Sequence, residues 1–326
     1  MGSMDDPRFR SDLYRGTASY YDRFRVPYPP GLLADLTHRS GARGEGSLLD
    51  LGCGPGLISF AMHDQFSDIW AVDQEPGMID VARQKAKTAG ITNIRFLTSA
   101  AEDLSVPGES FDLIAIGNAF HRMPRADVAA RVLRWLRPGQ FLALLWSGTP
   151  WEGQAPWQQA MSATMARWRA RAQADDRIPP RYDEIRRQRP DSGILRDAGF
   201  HLAGSYQFPV SWDWTPEALI GFAYSTSVLS RAALGGLAAG FEQDLRQEVC
   251  AAEPSGVLRQ TIRFGYELAR RPALCGVNHL RAGTSAGVSG RLVDGPGSFG
   301  MIWHLAGPGH ASPGPDRDRI PVTARA

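Results

Sequence analysis

The chain has 326 residues and a formal net charge of +2, so no bulk attraction to nucleic acid or to an anionic membrane surface is expected. Hydrophobic residues make up 43% and charged residues 21%, a balance that lets one large or two modest globular domains bury a core. The three cysteines, Cys53, Cys250 and Cys275, are too few and too scattered for a disulfide framework or a zinc-type pair, which points to a reducing compartment. With a polar start (MGSMDDPRFR) and no apolar run of span length, the cytoplasm is the expected location.

In chain order, residues 11–30 (SDLYRGTASYYDRFRVPYPP) are too polar for a core helix and too aromatic for a free tail. Residues 31–39 predict a short amphipathic helix with Leu32, Leu33 and Leu36 inward. A strand over 48–51 then runs into Gly52, Gly54 and Gly56, and a helix is expected over 57–66. Such a glycine turn lets the backbone visit positive φ and lets a ligand approach without a Cβ in the way. A second buried strand, 69–72, ends at Asp73, and a helix over 75–89 follows, with Met78, Ile79, Ala82 and Ala86 on one face and a stop at Gly90. An acid at that strand end stands where nucleotide-binding sheets accept ribose hydroxyls.

Strands over 94–97, 111–116 and 141–146, with a helix from Pro124 through Leu136 and a sharp turn at 137–139, complete a doubly wound parallel sheet. The fourth strand leads into Asn118, Ala119 and His121 at its carboxyl end. After Trp146 the text changes: tryptophans, prolines and arginines over 151–190 read as a helical cap over the site. A short helix over 194–199, a strand over 201–210, helices over 215–229 and 234–252 and a last, antiparallel strand over 258–268 follow. Residues 273–326, rich in Gly and Pro, are expected to form a loosely held tail.

The glycine pattern discriminates between ligands. Counting from Gly52, the third glycine of a dinucleotide G-x-G-x-x-G falls on Leu57; what is present is D-x-G-x-G-x-G, with Asp50 before the glycines and Asp73 after the next strand. In these features the chain resembles the class I methyltransferases that use S-adenosylmethionine (SAM). That resemblance implies an α/β, Rossmann-like sheet of seven strands, the last antiparallel, spanning 11–272 with an N-terminal lid arm over 11–46. It also implies cofactor contacts from Asp50, Gly52, Cys53, Gly54 and Gly56, and from Asp73, Gln74 and Met78 of the second motif. The arm matches a Y-D-x-x-R segment at Tyr20, Tyr21, Asp22 and Arg25, and the resemblance implies that Arg25 holds the methionine carboxylate and that the tyrosines close near the sulfonium. Ala101 and Glu102 match the adenine motif, whereas Ala100 stands where that motif carries an acid. Asn118 and Ala119 are expected beside the methionine end, and His121 as the candidate base.

YYDRFRVPYPP, AVDQEPGM, IGNAFHRMPR and LLWSGTPWEGQAPWQ resemble actinobacterial methyltransferases of secondary metabolism, a group that includes gentamicin-type aminoglycoside N-methyltransferases. The implied acceptor is a sugar amine held near Trp146, Trp151 and Glu152, with Asp22, Asp213 and Glu267 as further acids for a polycation. Two alternatives stay open: O- or carboxyl methylation of a small acid, favoured by Arg122 and Arg125, and SAM binding without turnover. A metal is not expected, nor a nucleic-acid substrate, since the chain has neither a basic stripe nor an N/D-P-P-Y/F motif. The oligomeric state is not legible in the text.

Overall fold

The computed structural model of the chain describes residues 9–273, apart from the side chains of Asp175 and Asp176; the expected tail lies outside the described residues. Strand β1 (Ser47–Leu51) is buried on both faces, as a central parallel strand must be. It pairs in parallel with β2 (Asp68–Asp73) on one side and β4 (Phe111–Gly117) on the other; β3 (Ile94–Thr98) extends the sheet beyond β2, and β5 (Leu136–Ser147) beyond β4. Beyond β5 come β7 (Leu258–Arg270) and then the edge strand β6 (His201–Trp214), with β7 antiparallel to both neighbours. The order is β3-β2-β1-β4-β5-β7-β6.

Alternation along these strands splits the core into two layers. Leu48, Ile69, Leu113, Ala143 and Leu145 face one layer, and Leu49, Leu51, Val72, Ile114 and Leu144 face the other. The first is covered in part by α2 (Pro30–Ser40), through Leu32 and Leu36, and α3 (Leu57–Ala61), through Ile58. α4 (Pro76–Ala89) adds Ile79 to it. The second is covered by α5 (Arg125–Trp135), through Val128, Ala129 and Val132. α1 (Ala18–Phe24) lies N-terminal to these helices.

The remaining helices come from the chain after β5. α6 (Pro156–Arg171) leads through a 3-10 turn to α7 (Tyr182–Gln188), and α8 (Asp191–Asp197) sends Ile194 and Leu195 into the second layer. α9 (Pro216–Tyr224) packs on α1, and after the single turn α10 (Arg231–Leu234), α11 (Ala238–Ala252) packs on α6. There Trp168 sits 6.2 Å from Phe241, and its Nε1 donates to Asp244 at 3.0 Å.

Besides β6, which runs on past the expected 210 to Trp214, and α11, which starts at Ala238 and not at 234, three elements differ from the sequence expectation. The helix after the glycines breaks at Met62 into a 3-10 turn (His63–Gln65), because Asn93 donates to the carbonyls of His63 and Phe66 and holds that turn off the helix axis. The expected turn at 137–139 is instead the start of β5: Leu136 pairs with Phe111, and a register shift before Leu113 absorbs Gly139. The helix expected over 215–229 stops at Tyr224, where Ser225 and Thr226 turn their hydroxyls back onto the carbonyls of Phe222 and Ala223.

Candidate active site

The carboxyl ends of β1, β2 and β4 meet at the glycine turn. Gly52 has φ +73°, and a Cβ there would stand 2.7 Å from Cβ of Ala119, so the turn fits against the β4 loop only as glycine. The N–H groups of Gly52 and Cys53 both donate to the Val72 carbonyl, fastening the turn to β2. Asp73 accepts from the Gly54 amide at 2.8 Å and from the Glu75 amide at 2.9 Å, so one carboxylate ties together the loops after β1 and β2. Burial pushes its carboxyl up, while those two amides pull the other way.

Asp50, an expected cofactor contact, clamps the turn to α3. It is fully buried, and one oxygen accepts both the amide (3.0 Å) and the hydroxyl (2.6 Å) of Ser59 in α3. Its other oxygen has no partner among the described residues, and burial raises its pKa to about 7. Cys53 is buried with its thiol donating to the Gly54 carbonyl. At Gly56 (φ +86°) the turn enters α3, and a Cβ would strike the Phe60 ring.

Two clefts open beside this turn. The smaller, about 320 Å³ with its open mouth included, lies against Leu57, Ser147 and Phe264. The larger, about 700 Å³ on the same measure, is walled by His121, Arg122, Trp151, Met165 and Tyr182. Tyr21, Arg25 and Asn118 line both. The Tyr21 ring stands 3.7 Å from where a Cβ on Gly54 would lie, so the arm reaches the glycine turn. The Arg25 guanidinium lies between the rings of Tyr21 (4.6 Å) and Phe222 (4.3 Å), and its Nε donates to Ser225 Oγ at 2.8 Å. Asn118, at φ +51°, donates to Tyr28 Oη and Ser147 Oγ and accepts from the Ser147 amide, each at 3.2 Å.

His121 lies on a 3-10 turn after β4, tied to α7 by Tyr182, whose hydroxyl donates to the His121 carbonyl at 3.1 Å. Desolvation, and then the field of Arg122, Arg186, Arg125 and Arg25, holds its imidazole well below the usual value near 6.5, so it is neutral at pH 7. Burial pushes Tyr182 up to about 12.

Several expected site residues stand elsewhere. Tyr20 packs edge-on against Tyr224 (5.1 Å) and stacks on Phe24 (6.3 Å), a packing role. Trp146 lies against Gly265 of β7, where the glycine makes room for its indole, and not in the larger cleft. Glu152 turns one oxygen to the Thr149 amide at 3.2 Å, and the other is buried without a partner among the described residues. Met78 and Ala101 are buried, Glu102 is half-buried and Gln74 is exposed; none of the four lines either cleft. Tyr28 lines the smaller cleft and Tyr182 the larger, and the sequence expectation names neither. Tyr28 lay in the quoted arm segment, and Gly117, whose added Cβ would stand 2.7 Å from the Tyr28 hydroxyl, was the available signal.

Residues 48–139, which hold the glycine turn, Asp73, Asn118 and His121, match the family model described as a methyltransferase domain. An uncharacterised methyltransferase of Mycobacterium tuberculosis is 32% identical over 127 residues, covering 39% of this chain and 49% of that protein. A ubiquinone biosynthesis O-methyltransferase of Cereibacter sphaeroides is 43% identical over 67 residues, covering 21% of this chain and 27% of that one. The chain thus spans about half the length of the curated relatives it matches first. A solved structure from Anaeromyxobacter dehalogenans, described as a candidate type II methyltransferase, shares the fold with a TM-score of 0.51 at 22% identity, over 76% of this chain and 97% of that one. The seven-stranded sheet with its antiparallel β7 is the Rossmann-like methyltransferase fold.

Proposed function

We propose that the chain binds SAM at the carboxyl edge of β1, β2 and β4 and transfers its methyl group to a small molecule held in the larger cleft. One observation carries this reading: Tyr21, Arg25 and Asn118 are walls of both clefts, so a donor beside the glycine turn and an acceptor beneath the cap meet at those three side chains. The residues fit the donor. A Cβ at Gly54 would intrude on the cradle facing Tyr21, and Asp73 keeps lone pairs beyond the two amides it accepts, enough for ribose hydroxyls.

When bound, SAM supplies a methyl on a positively charged sulfur, already activated for in-line displacement. The chain's part is positioning and exclusion of water. Asp73 fixes the ribose, Arg25 offers an N–H donor to the carboxylate of the amino-acid end, and Asn118 Oδ1, which accepts one amide, keeps a lone pair for its amino group. The Tyr21 face suits the sulfonium charge. Trp151, Met165 and Tyr182 displace water from the acceptor, which must lie about 3 Å from the methyl and opposite the sulfur. A neutral His121 has a ring nitrogen free of charge at pH 7 and within the acceptor's cleft, suited to take a proton from it.

A sugar-amine acceptor finds little support in the cleft. Asp22 pairs with Lys85, Asp213 pairs with Arg259, and neither they, Glu152 nor Glu267 lines it. Incubating the protein with SAM and panels of amino sugars and small acids, and reading product masses, tests the reading. A product heavier by one methylene is expected; SAM binding with no product from any acceptor would favour a binding protein without turnover.

A further inference from the structure

Two arginines three residues apart, Arg122 and Arg125, meet different fates. Arg125 is 2% exposed, and its guanidinium donates to the Arg189 carbonyl and to Asp191, both at 2.8 Å. Asp191 also pairs with Arg186 at 3.5 Å. That carboxylate therefore already faces two cations. Arg122 has no such partner. Its Nε and Nη1 are shielded from solvent, and no acceptor among the described residues meets either. Yet its position is held: the guanidinium lies 4.7 Å from the Phe9 ring centroid and 6.0 Å from that of Tyr182, and those two rings pack edge-on at 5.1 Å. Aromatic stacking fixes the plane of an arginine while leaving its N–H groups for a ligand.

Buried N–H groups of a cation without an acceptor are costly, and a site that keeps them commonly exchanges that cost for a ligand's charge. Arg122 lines the larger cleft, as does Arg25, whose Nε is given to Ser225. His121 beside them is neutral at pH 7. The one acid lining the cleft, Asp183, makes no ion pair with Arg122 among the described residues. Trp151, Met165, Ile178 and Val228 give the cleft an apolar wall, and the hydroxyls of Tyr14, Tyr182, Thr226 and Ser227 belong to residues that complete it.

From this geometry we infer that the acceptor is a small organic anion, its carboxylate or phosphate read by Arg122 and its apolar body by the cap. The inference uses the methyl-transfer reading only to say which molecule enters this cleft.

The test measures affinities for the protein saturated with S-adenosylhomocysteine, using benzoate and phenyl phosphate as anions, benzamide as the neutral isostere and benzylamine as the cation. At least about tenfold tighter binding of one anion than of benzamide is expected, the scale of a charge-assisted fork. Which anion binds tighter separates carboxylate from phosphate. Arg122→Gln should erase the preference and Arg122→Lys should restore part of it, with S-adenosylhomocysteine affinity within twofold of wild type in both, which also reports that they fold. Equal binding of benzoate, phenyl phosphate and benzamide, or tighter binding of benzylamine, would overturn the inference. An Arg122-dependent preference for an anion in a protein that fails to bind S-adenosylhomocysteine would uphold the anion site and remove the methyl-donor reading instead.

Discussion

Asn118 does three things at one residue. It turns the chain at positive φ after β4, bonds Tyr28 and Ser147, and walls both clefts. Asn tolerates that backbone better than most residues because its short amide bonds locally. Asn118→Ala is therefore expected to cost about 1–2 kcal/mol in denaturant unfolding, and also to weaken S-adenosylhomocysteine binding. His121→Ala should lower turnover more than threefold if the imidazole moves a proton, and a smaller drop would remove it as base. Because its pKa lies well below 6.5, the wild-type rate should hold its plateau down through pH 6.5 before an acid limb appears. Tyr21, Arg25, Asn118 and His121, which line the larger cleft, each lie in a motif legible in the sequence by type and spacing. Tyr182 does not, because it reaches the site from a segment whose arginines and prolines carry no periodicity. Tyr20 turns to Tyr224 and Trp146 to Gly265, orientations that a motif does not report: it gives a residue's neighbourhood, and packing decides which way its ring turns.

At the scale of elements, the β1–α3 turn separates two effects that glycines combine. A Cβ on Gly52 would meet Ala119 at 2.7 Å, whereas one on Gly54 would meet the Tyr21 ring at an ordinary 3.7 Å. Both substitutions pay for positive φ, on the order of 1 kcal/mol, but only Gly52→Ala adds a clash. Thermal unfolding should show Gly52→Ala as the less stable variant. Calorimetry on Gly54→Ala should show a folded protein whose donor binding is impaired, since its Cβ narrows the cradle; equal stability losses would refute this division. The parallel strands β1 to β4 were read closely from the sequence because apolar runs bounded by turn residues mark parallel strands. The boundaries at Met62 and Tyr224 depend on bonds from distant or hydroxyl side chains, such as Asn93 and Thr226, and that at Leu136 on pairing with Phe111, none of which local periodicity reports.

For the whole molecule, Asp50 couples the site to folding. Its carboxyl titrates near 7 when folded and at the ordinary acid value when unfolded, so the folded state holds the extra proton between those values. Stability from this group is greatest below about pH 4 and declines as pH rises toward about 7, above which the loss is complete. Asp50→Asn lacks this titration. Its stability relative to wild type should therefore improve from pH 5 to pH 8 in urea unfolding, and a constant difference would contradict the assignment.

The carboxyl rim of β1 and β2 as an adenosyl site is tested most directly by titrating S-adenosylhomocysteine into wild type and into Asp73→Ala and Asp73→Asn. One site per chain is expected, weakened about tenfold or more by Asp73→Ala and less by Asp73→Asn, which keeps one acceptor oxygen for the backbone. Absence of binding to the wild type, or the same affinity in all three proteins, would contradict the account.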